Sequence, residues 1–158
     1  NRVRIIGGEW RSRLIDVADE AGLRPTPDRV RETLFNWLGQ DLTGRRVLDL
    51  FAGSGVLGFE ALSRGAASAV LVDRSREAVQ RLQANAILLG ATRAELLHCD
   101  ALEFLTRPRG SPFDVAFVDP PYASGLAEPA LAQLAPHLTP GARVYVESAT
   151  PLAPSGWK

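Results

Sequence analysis

Val47-Leu48-Asp49-Leu50-Phe51-Ala52-Gly53-Ser54-Gly55-Val56-Leu57-Gly58 is the stretch on which the architecture turns. A short apolar run enters a glycine-rich turn, and the turn passes directly into a helical segment that Gly65 stops. An apolar run of this kind, without alternation, reads as a strand covered on both faces. The pattern then repeats. Ala69–Asp73 is a second strand, and Ser75 caps a helix with Val79, Leu82, Ala86 and Leu89 on one stripe before Gly90 ends it. Ala94–Cys99 forms a third strand, with a short helix through Phe104. Asp114–Asp119 is the fourth, a helix follows from about Ser124 to His137, and Ala142–Glu147 is the fifth. Strands that alternate with helices imply a parallel sheet, and right-handed crossovers limit it to a doubly wound α/β form, order 3-2-1-4-5.

Upstream, Val3–Val17 with its Gly7-Gly8 bend reads as a hairpin or arm. Thr26 is expected as the cap and Pro27 as the first residue of a helix whose apolar stripe is Val30, Leu34, Trp37 and Leu38. The organisation expected is an arm over residues 1–23 and a main domain over 24–158. A length of 158 residues suits one domain, and 46% hydrophobic with 23% charged residues excludes a disordered or fibrous chain. No stretch approaches 18 apolar residues and no signal-peptide core opens the chain, so a soluble cytoplasmic protein with no membrane partner is expected. One cysteine, Cys99, leaves no disulfide framework and no multi-cysteine zinc site. Net charge is zero, yet residues 1–13 carry Arg2, Arg4, Arg11 and Arg13 against Glu9 alone. That local excess is a modest pointer to nucleic acid, because an arginine bias in place of lysine has compositional explanations too.

The segment Gly53-Ser54-Gly55-Val56-Leu57-Gly58 matches the GxGxxG dinucleotide fingerprint, with Asp73 about 20 residues on to accept a ribose diol. Any adenosine-containing cofactor satisfies that description, nicotinamide dinucleotides included. Asp49, four residues before the first glycine, suits a ligand with a free ammonium group and offers nothing to a pyrophosphate. Asp100 with the Ala101 amide can read the amino group and ring nitrogen of adenine. The sharpest signal is Asp119-Pro120-Pro121-Tyr122 at the end of the fourth strand, across the switch point from the glycine loop. Two prolines remove two amide donors, leaving a carboxylate and a carbonyl as neighbouring acceptors beside an aromatic ring. Such a pair can hold both protons of an aryl amine and aim its lone pair at a sulfonium methyl, with no strong base required.

Other residues read more plainly. His98 and Cys99 lack the companions of a metal site, so no metal is expected. His137 reads as a surface residue at a helix end and Trp37 as core. Trp10 could pack the arm down or stack on a base. Arg29 and Arg31 do not share a helix face and form no single phosphate clamp.

The loop Asp49-x-x-x-Gly53-x-Gly55, Asp73, Asp100 and the Asp119–Tyr122 box resemble S-adenosylmethionine-dependent amino methyltransferases. Arg4-Ile5-Ile6-Gly7-Gly8-x-x-Arg11 and Arg24-Pro25-Thr26-x-x-x-Val30-Arg31-Glu32 narrow the resemblance to the bacterial family that methylates N2 of one guanine in 16S ribosomal RNA. This resemblance implies a Rossmann-like methyltransferase fold and S-adenosylmethionine as cofactor. It implies that Asp49, Phe51, Ala52, Gly53, Ser54, Gly55, Asp73, Arg74, Asp100 and Ala101 line the cofactor. Asp119, Pro120, Pro121 and Tyr122 then hold the guanine, and Arg4, Arg11, Arg24 and Thr26 face RNA or close over the site. The implied partner is 16S RNA within a small-subunit particle, met by a monomer. Members of the family continue past the fifth strand into a helix and hairpin, so the sheet edge is expected to be incomplete at Lys158. Rival readings are an adenine or protein-glutamine methyltransferase, an NAD(P)-linked oxidoreductase, and a non-catalytic RNA-binding assembly factor.

Overall fold

A computed structural model of the chain describes residues 2–17, 26–108 and 110–148. The N-terminal stretch is a hairpin of β1 (Arg2–Arg4) and β2 (Leu14–Asp16), paired antiparallel with Val3 opposite Ile15. It is docked, not free. The Ile6 and Gly7 amides donate to the two oxygens of Glu60 at 2.9 and 3.0 Å, and the Glu9 amide donates to the Ser63 carbonyl at 2.7 Å. Gly8 makes that approach feasible, since a Cβ there would sit 1.9 Å from the Ser63 carbonyl oxygen and its φ is +81°. Trp10 is buried beneath the hairpin, which decides between its two readings in favour of packing. The expected boundary between residues 23 and 24 lies outside the described residues.

Helix α1 (Asp28–Leu38) follows, then β3 (Arg46–Asp49), α2 (Val56–Ser63), β4 (Ser68–Asp73), α3 (Arg76–Leu89), β5 (Ala94–His98), α4 (Ala101–Thr106) and β6 (Phe113–Val118). Helix α5 (Ala127–Leu134) and β7 (Leu138–Val146) complete the described elements, joined by one 3-10 turn over Ala135–His137. The large sheet runs β5-β4-β3-β6-β7 with every neighbouring pair parallel. Counted from β3 this is the expected order 3-2-1-4-5, doubly wound.

Side-chain alternation along each strand sorts the core into two layers. Val47, Leu71, Val115 and Phe117 face one side, where Phe35, Phe59, Leu62, Leu82 and the hairpin's Ile5 and Ile15 cover them. Leu48, Val70, Val72, Ala116 and Val118 face the other, against Leu105, Leu131 and Leu134. Burial on both faces explains why these strands read as continuous apolar runs.

Local differences from expectation have physical causes. Helix α1 is capped at Pro27, one residue later than expected, because the Thr26 hydroxyl points instead to Asp119. Its buried face is Arg31, Leu34 and Phe35, so Trp37 is 51% exposed where a core position was expected. His137 is buried and not at the surface, its Nε2 hydrogen-bonded to the Leu105 carbonyl at 2.9 Å. Helix α5 begins at Ala127 rather than Ser124: a turn closed by the Ser124 amide on the Pro121 carbonyl, with Ala123 and Gly125 at positive φ, occupies the intervening residues. Strand β7 begins earlier than Ala142, at Leu138 opposite Phe113; between that pair and Arg143 opposite Val115, four residues of β7 stand against one of β6 in a bulge that holds Gly141 at φ +78°. Ser75 caps α3 through the Ala78 amide, Gly90 ends it at φ +68°, and Cys99 is buried, all as read from the sequence. Among the described residues no helix is long and apolar enough to cross a membrane.

Candidate active site

Parallel strands end together, so their carboxyl ends assemble residues far apart in the chain. β3 delivers Asp49, β4 delivers Asp73, β6 leads into Asp119 and β7 leads into Glu147. The turn after β3 stays tethered: the Leu50 amide donates to the Phe117 carbonyl at 3.1 Å and the Ala52 amide to Val72 at 2.9 Å. The glycines of this turn have separate jobs. At Gly55, which opens α2 at φ +82°, a Cβ would lie 2.6 Å from both Leu82 and Phe59. Gly58 lets α2 pack on Leu71 and brings its amide to Asp49 Oδ2 at 3.0 Å. Gly53 faces open space at φ +56°, so its backbone is the one a ligand can approach.

Asp73 is held by two amides, Gly53 to Oδ2 and Ser75 to Oδ1, each at 2.9 Å. A carboxylate has about four lone-pair sites, so both oxygens keep capacity for hydroxyl donors. Asp100 caps α4, its Oδ2 accepting from the Leu102 and Glu103 amides at 3.1 and 3.2 Å. Ala101 is buried at the first turn of that helix. Phe51 and Ser54 are half-buried, Ala52 is buried, and Arg74 is exposed with its carbonyl on His98 Nε2 at 3.0 Å.

Across the crevice Asp119 is half-buried, and Pro120, Pro121 and Tyr122 grow progressively more exposed until Tyr122 reaches 85%. The Pro121 carbonyl is engaged by Ser124, which leaves the Pro120 carbonyl as the acceptor beside Asp119. The Thr26 hydroxyl approaches Asp119 Oδ2 at 3.5 Å. Glu147, whose amide donates to the Val118 carbonyl at 3.0 Å, comes beside Asp119 at the strand ends and receives the Tyr145 hydroxyl on Oε1 at 2.6 Å.

The field here is negative. Burial raises Asp49 to about 7, against the stabilising Gly58 amide and with a further push from Asp73. Asp119 also rises to about 7, first through burial, then through the hydrogen bond and charge of Glu147 and the charge of Asp49, with Thr26 opposing. Burial and Glu147 push the Tyr145 phenol upward as well. Such a row of carboxylates favours a cationic or donor-rich ligand. Among the described residues no group of three His, Cys, Asp or Glu could hold a metal ion.

Thus the site residues expected from β3, β4, α4 and β6 lie along one edge of the sheet, joined by Thr26. Arg4 and Arg11 stand instead on the hairpin, exposed, with Arg4 Nη1 on the Ser12 carbonyl at 2.8 Å. Arg24 lies outside the described residues. Sequence reading passed over Glu147, although it stands at a strand end just as Asp49, Asp73 and Asp119 do. It also passed over Glu60, a fully buried acid inside the otherwise apolar helix α2, which pairs with Arg31 Nη1 at 3.1 Å and Arg64 Nε at 2.9 Å.

The family described as Conserved hypothetical protein 95 matches residues 3–157. The ribosomal RNA small subunit methyltransferase D of Escherichia coli K12 is 46% identical over 162 residues, covering 99% of this chain and 81% of that one. Its namesake in Haemophilus influenzae is 45% identical, covering 92% of this chain and 78% of that one. A solved Escherichia coli structure, described as a candidate methyltransferase, superposes with a TM-score of 0.88 at 45% identity, over 100% of this chain and 89% of its own. The solved SAM-dependent methyltransferase of Agrobacterium tumefaciens superposes at 0.62 with 26% identity, over 77% of this chain and 43% of its own. By the match along nearly its whole length and by its fold, the chain belongs to the Conserved hypothetical protein 95 family, that of the ribosomal RNA small subunit methyltransferases D.

Proposed function

We propose that this protein transfers a methyl group from S-adenosylmethionine to the exocyclic N2 amine of a guanine in 16S ribosomal RNA, acting as a monomer on a small-subunit particle. One observation carries the reading: a half-buried carboxylate, Asp119, followed by two prolines and an exposed aromatic ring, stands opposite an open glycine turn. The names of the family's relatives support an RNA substrate in the small subunit. The choice of guanine rests on the resemblance of the sequence motifs.

The residues at the strand ends fit the cofactor. S-adenosylmethionine offers an ammonium, a sulfonium, a ribose diol and an adenine amine, and it supplies an electrophilic methyl group. Asp49 gives counter-charge to the ammonium, Asp73 accepts from the diol, and Asp100 with the Ala101 amide reads the adenine. Gly53 admits the ligand because nothing occupies the space where a side chain would stand. Phe51, Ala52, Ser54, Gly55 and Arg74 complete the lining.

On the other side Asp119 and the Pro120 carbonyl each accept one N–H of the guanine amine. That grip orients the nitrogen lone pair and draws the group from planar toward pyramidal, which is positioning rather than strong-base chemistry. The exposed Tyr122 ring stacks on a base that has left its helix, and the rigid Pro120-Pro121 pair fixes where the ring stands. Arg4, Arg11, Arg24 and Thr26 serve the RNA side.

The test is tritiated methyl transfer to naked 16S RNA, to small-subunit particles and to DNA, followed by nucleoside analysis. The expected product is N2-methylguanosine. Asp119→Ala is expected to lower transfer by about 10³-fold or more while calorimetric affinity for S-adenosylhomocysteine holds within about threefold. Label found in adenine, or an active Asp119→Ala variant, overturns the reading.

A further inference from the structure

Methylating an –NH2 group leaves a proton to be disposed of. One N–C bond forms as the donor's C–S bond breaks, and the departing electron pair stays on sulfur. The nitrogen then carries a positive charge until one N–H bond breaks, its electron pair returning to nitrogen. Nothing in the amine grip says where that proton goes.

The sheet register points to a route. Val118 of β6 lies opposite Val146 of β7, so the next residues, Asp119 and Glu147, come side by side at the strand ends. The Glu147 amide on the Val118 carbonyl at 3.0 Å locks that step of the register. The Tyr145 hydroxyl donates to Glu147 Oε1 at 2.6 Å and holds that carboxylate in place. Asp119 is half-buried whereas Glu147 is exposed, so the pair spans from the crevice to solvent. Neighbouring carboxylates resist ionising together, so one of such a pair holds a proton to a higher pH.

We propose that Glu147 is a positioning residue for the proton step: acting through Asp119, it lets that carboxylate take the proton the methylated amine must lose and hands it on to water. The inference rests on the assignment of Asp119 to the amine. The step balances without a further reactant. The proton leaves nitrogen for Asp119, passes from it to the neighbouring Glu147, and departs from that exposed carboxyl to water. The charged and titratable groups facing Asp119 are Glu147 and Tyr145 from β7 and Asp49 from β3, with the Thr26 hydroxyl from the segment before α1.

The experiment is single-turnover methyl transfer to small-subunit particles across roughly pH 5.5–9, for the full chain and for Glu147→Gln and Glu147→Asp. In the unaltered protein the rate is expected to rise through a pH near 7, where Asp119 ionises. Glu147→Gln keeps a hydrogen-bonding side chain beside Asp119 but removes the charge and the outlet. Its acid limb should move about one pH unit lower and its plateau fall about tenfold, with S-adenosylhomocysteine affinity unchanged. Glu147→Asp should recover most of the plateau. A Glu147→Gln profile that superimposes on the unaltered one overturns the proposal, even if that variant melts earlier, since a purely structural role moves melting and not the limb. Full transfer by Asp119→Ala instead overturns the amine assignment itself, so the two failures are distinct.

Discussion

The Asp49 carboxylate ends β3 fully buried, with the Gly58 amide on one oxygen and, among the described residues, no ion pair. Its proton is retained up to about 7 in the folded chain, chiefly because of burial, while an unfolded aspartate releases it near 4. Between those values the folded state binds more protons than the unfolded one. Stability therefore falls as pH rises through that window and is greatest, as far as this group is concerned, at its acid end. Asp119 acts in the same direction over the same window. Asp49→Asn keeps an acceptor for Gly58 and discards the charge. It is expected to exceed the unaltered protein in stability at pH 8 by on the order of 2 kcal/mol, with the advantage fading toward pH 4.5. Urea titrations at those two pH values measure it, alongside a loss of affinity for a cationic cofactor analogue. A variant that is less stable at pH 8 would show that the charge stabilises the fold. Stability given up at a charged site in exchange for ligand binding is a common compromise.

Helix α1 shows what a sequence pattern conveys about an element and what it conceals. The strands, the glycine turn and the caps at Ser75 and Gly90 are legible because burial on both faces or a special backbone angle restricts the residue type locally. The orientation of α1 is not. Its inward face contains Arg31, 1% exposed, which donates to Glu60 at 3.1 Å, Asp28 at 2.5 Å and the Thr26 carbonyl at 3.2 Å. A charged residue reads as surface until its partner 29 positions away is known, so the apolar stripe shifted toward Trp37. His137 misleads for the same reason: its partners, the Leu105 carbonyl and the stacked Phe104 ring, come from another helix. Asp119 and Glu147 are each visible as strand-end acids, but their adjacency needs the strand order and the β7 bulge. The orientation of α1 makes a sharp prediction. Phe35→Ala should cost about 3–5 kcal/mol by denaturant unfolding, as a fully buried ring facing Phe117 at 6.1 Å. Trp37→Ala should cost less than about 1 kcal/mol, since its ring is half-exposed beneath the Arg143 guanidinium at 5.4 Å. Equal losses would restore the stripe read from the sequence.

For the molecule as a whole, zero net charge gives no general attraction to RNA, and steering falls to the asymmetry between its parts. The hairpin carries the surplus of arginines, and its attachment makes that surplus directional. Two amides on Glu60, one on the Ser63 carbonyl and the Trp10 amide on Ser63 Oγ at 2.9 Å fasten it to α2. At its other edge Asp16 and Asn85 exchange hydrogen bonds at 3.0 and 2.8 Å, fastening it to α3. Exposed guanidinium groups on a fixed hairpin lose little ordering entropy when they meet a phosphate, unlike those on a loose arm. Arg11 also borders a concavity of about 370 Å³ with Gly7, Gly8, Glu32 and Arg64, so a backbone phosphate has room beside it. Arg11→Ala is accordingly expected to weaken RNA binding about three- to tenfold in low salt. The slope of log affinity against log salt should shrink by about 0.7–0.9, because one phosphate is no longer neutralised. Cofactor-analogue affinity and unfolding free energy should not change, because the side chain is exposed and bonded to neither layer of the core. An unaltered salt slope would move RNA binding off the hairpin and leave its arginines as a solvated face, with the hairpin's value lying in the burial of Ile5, Trp10 and Ile15 alone.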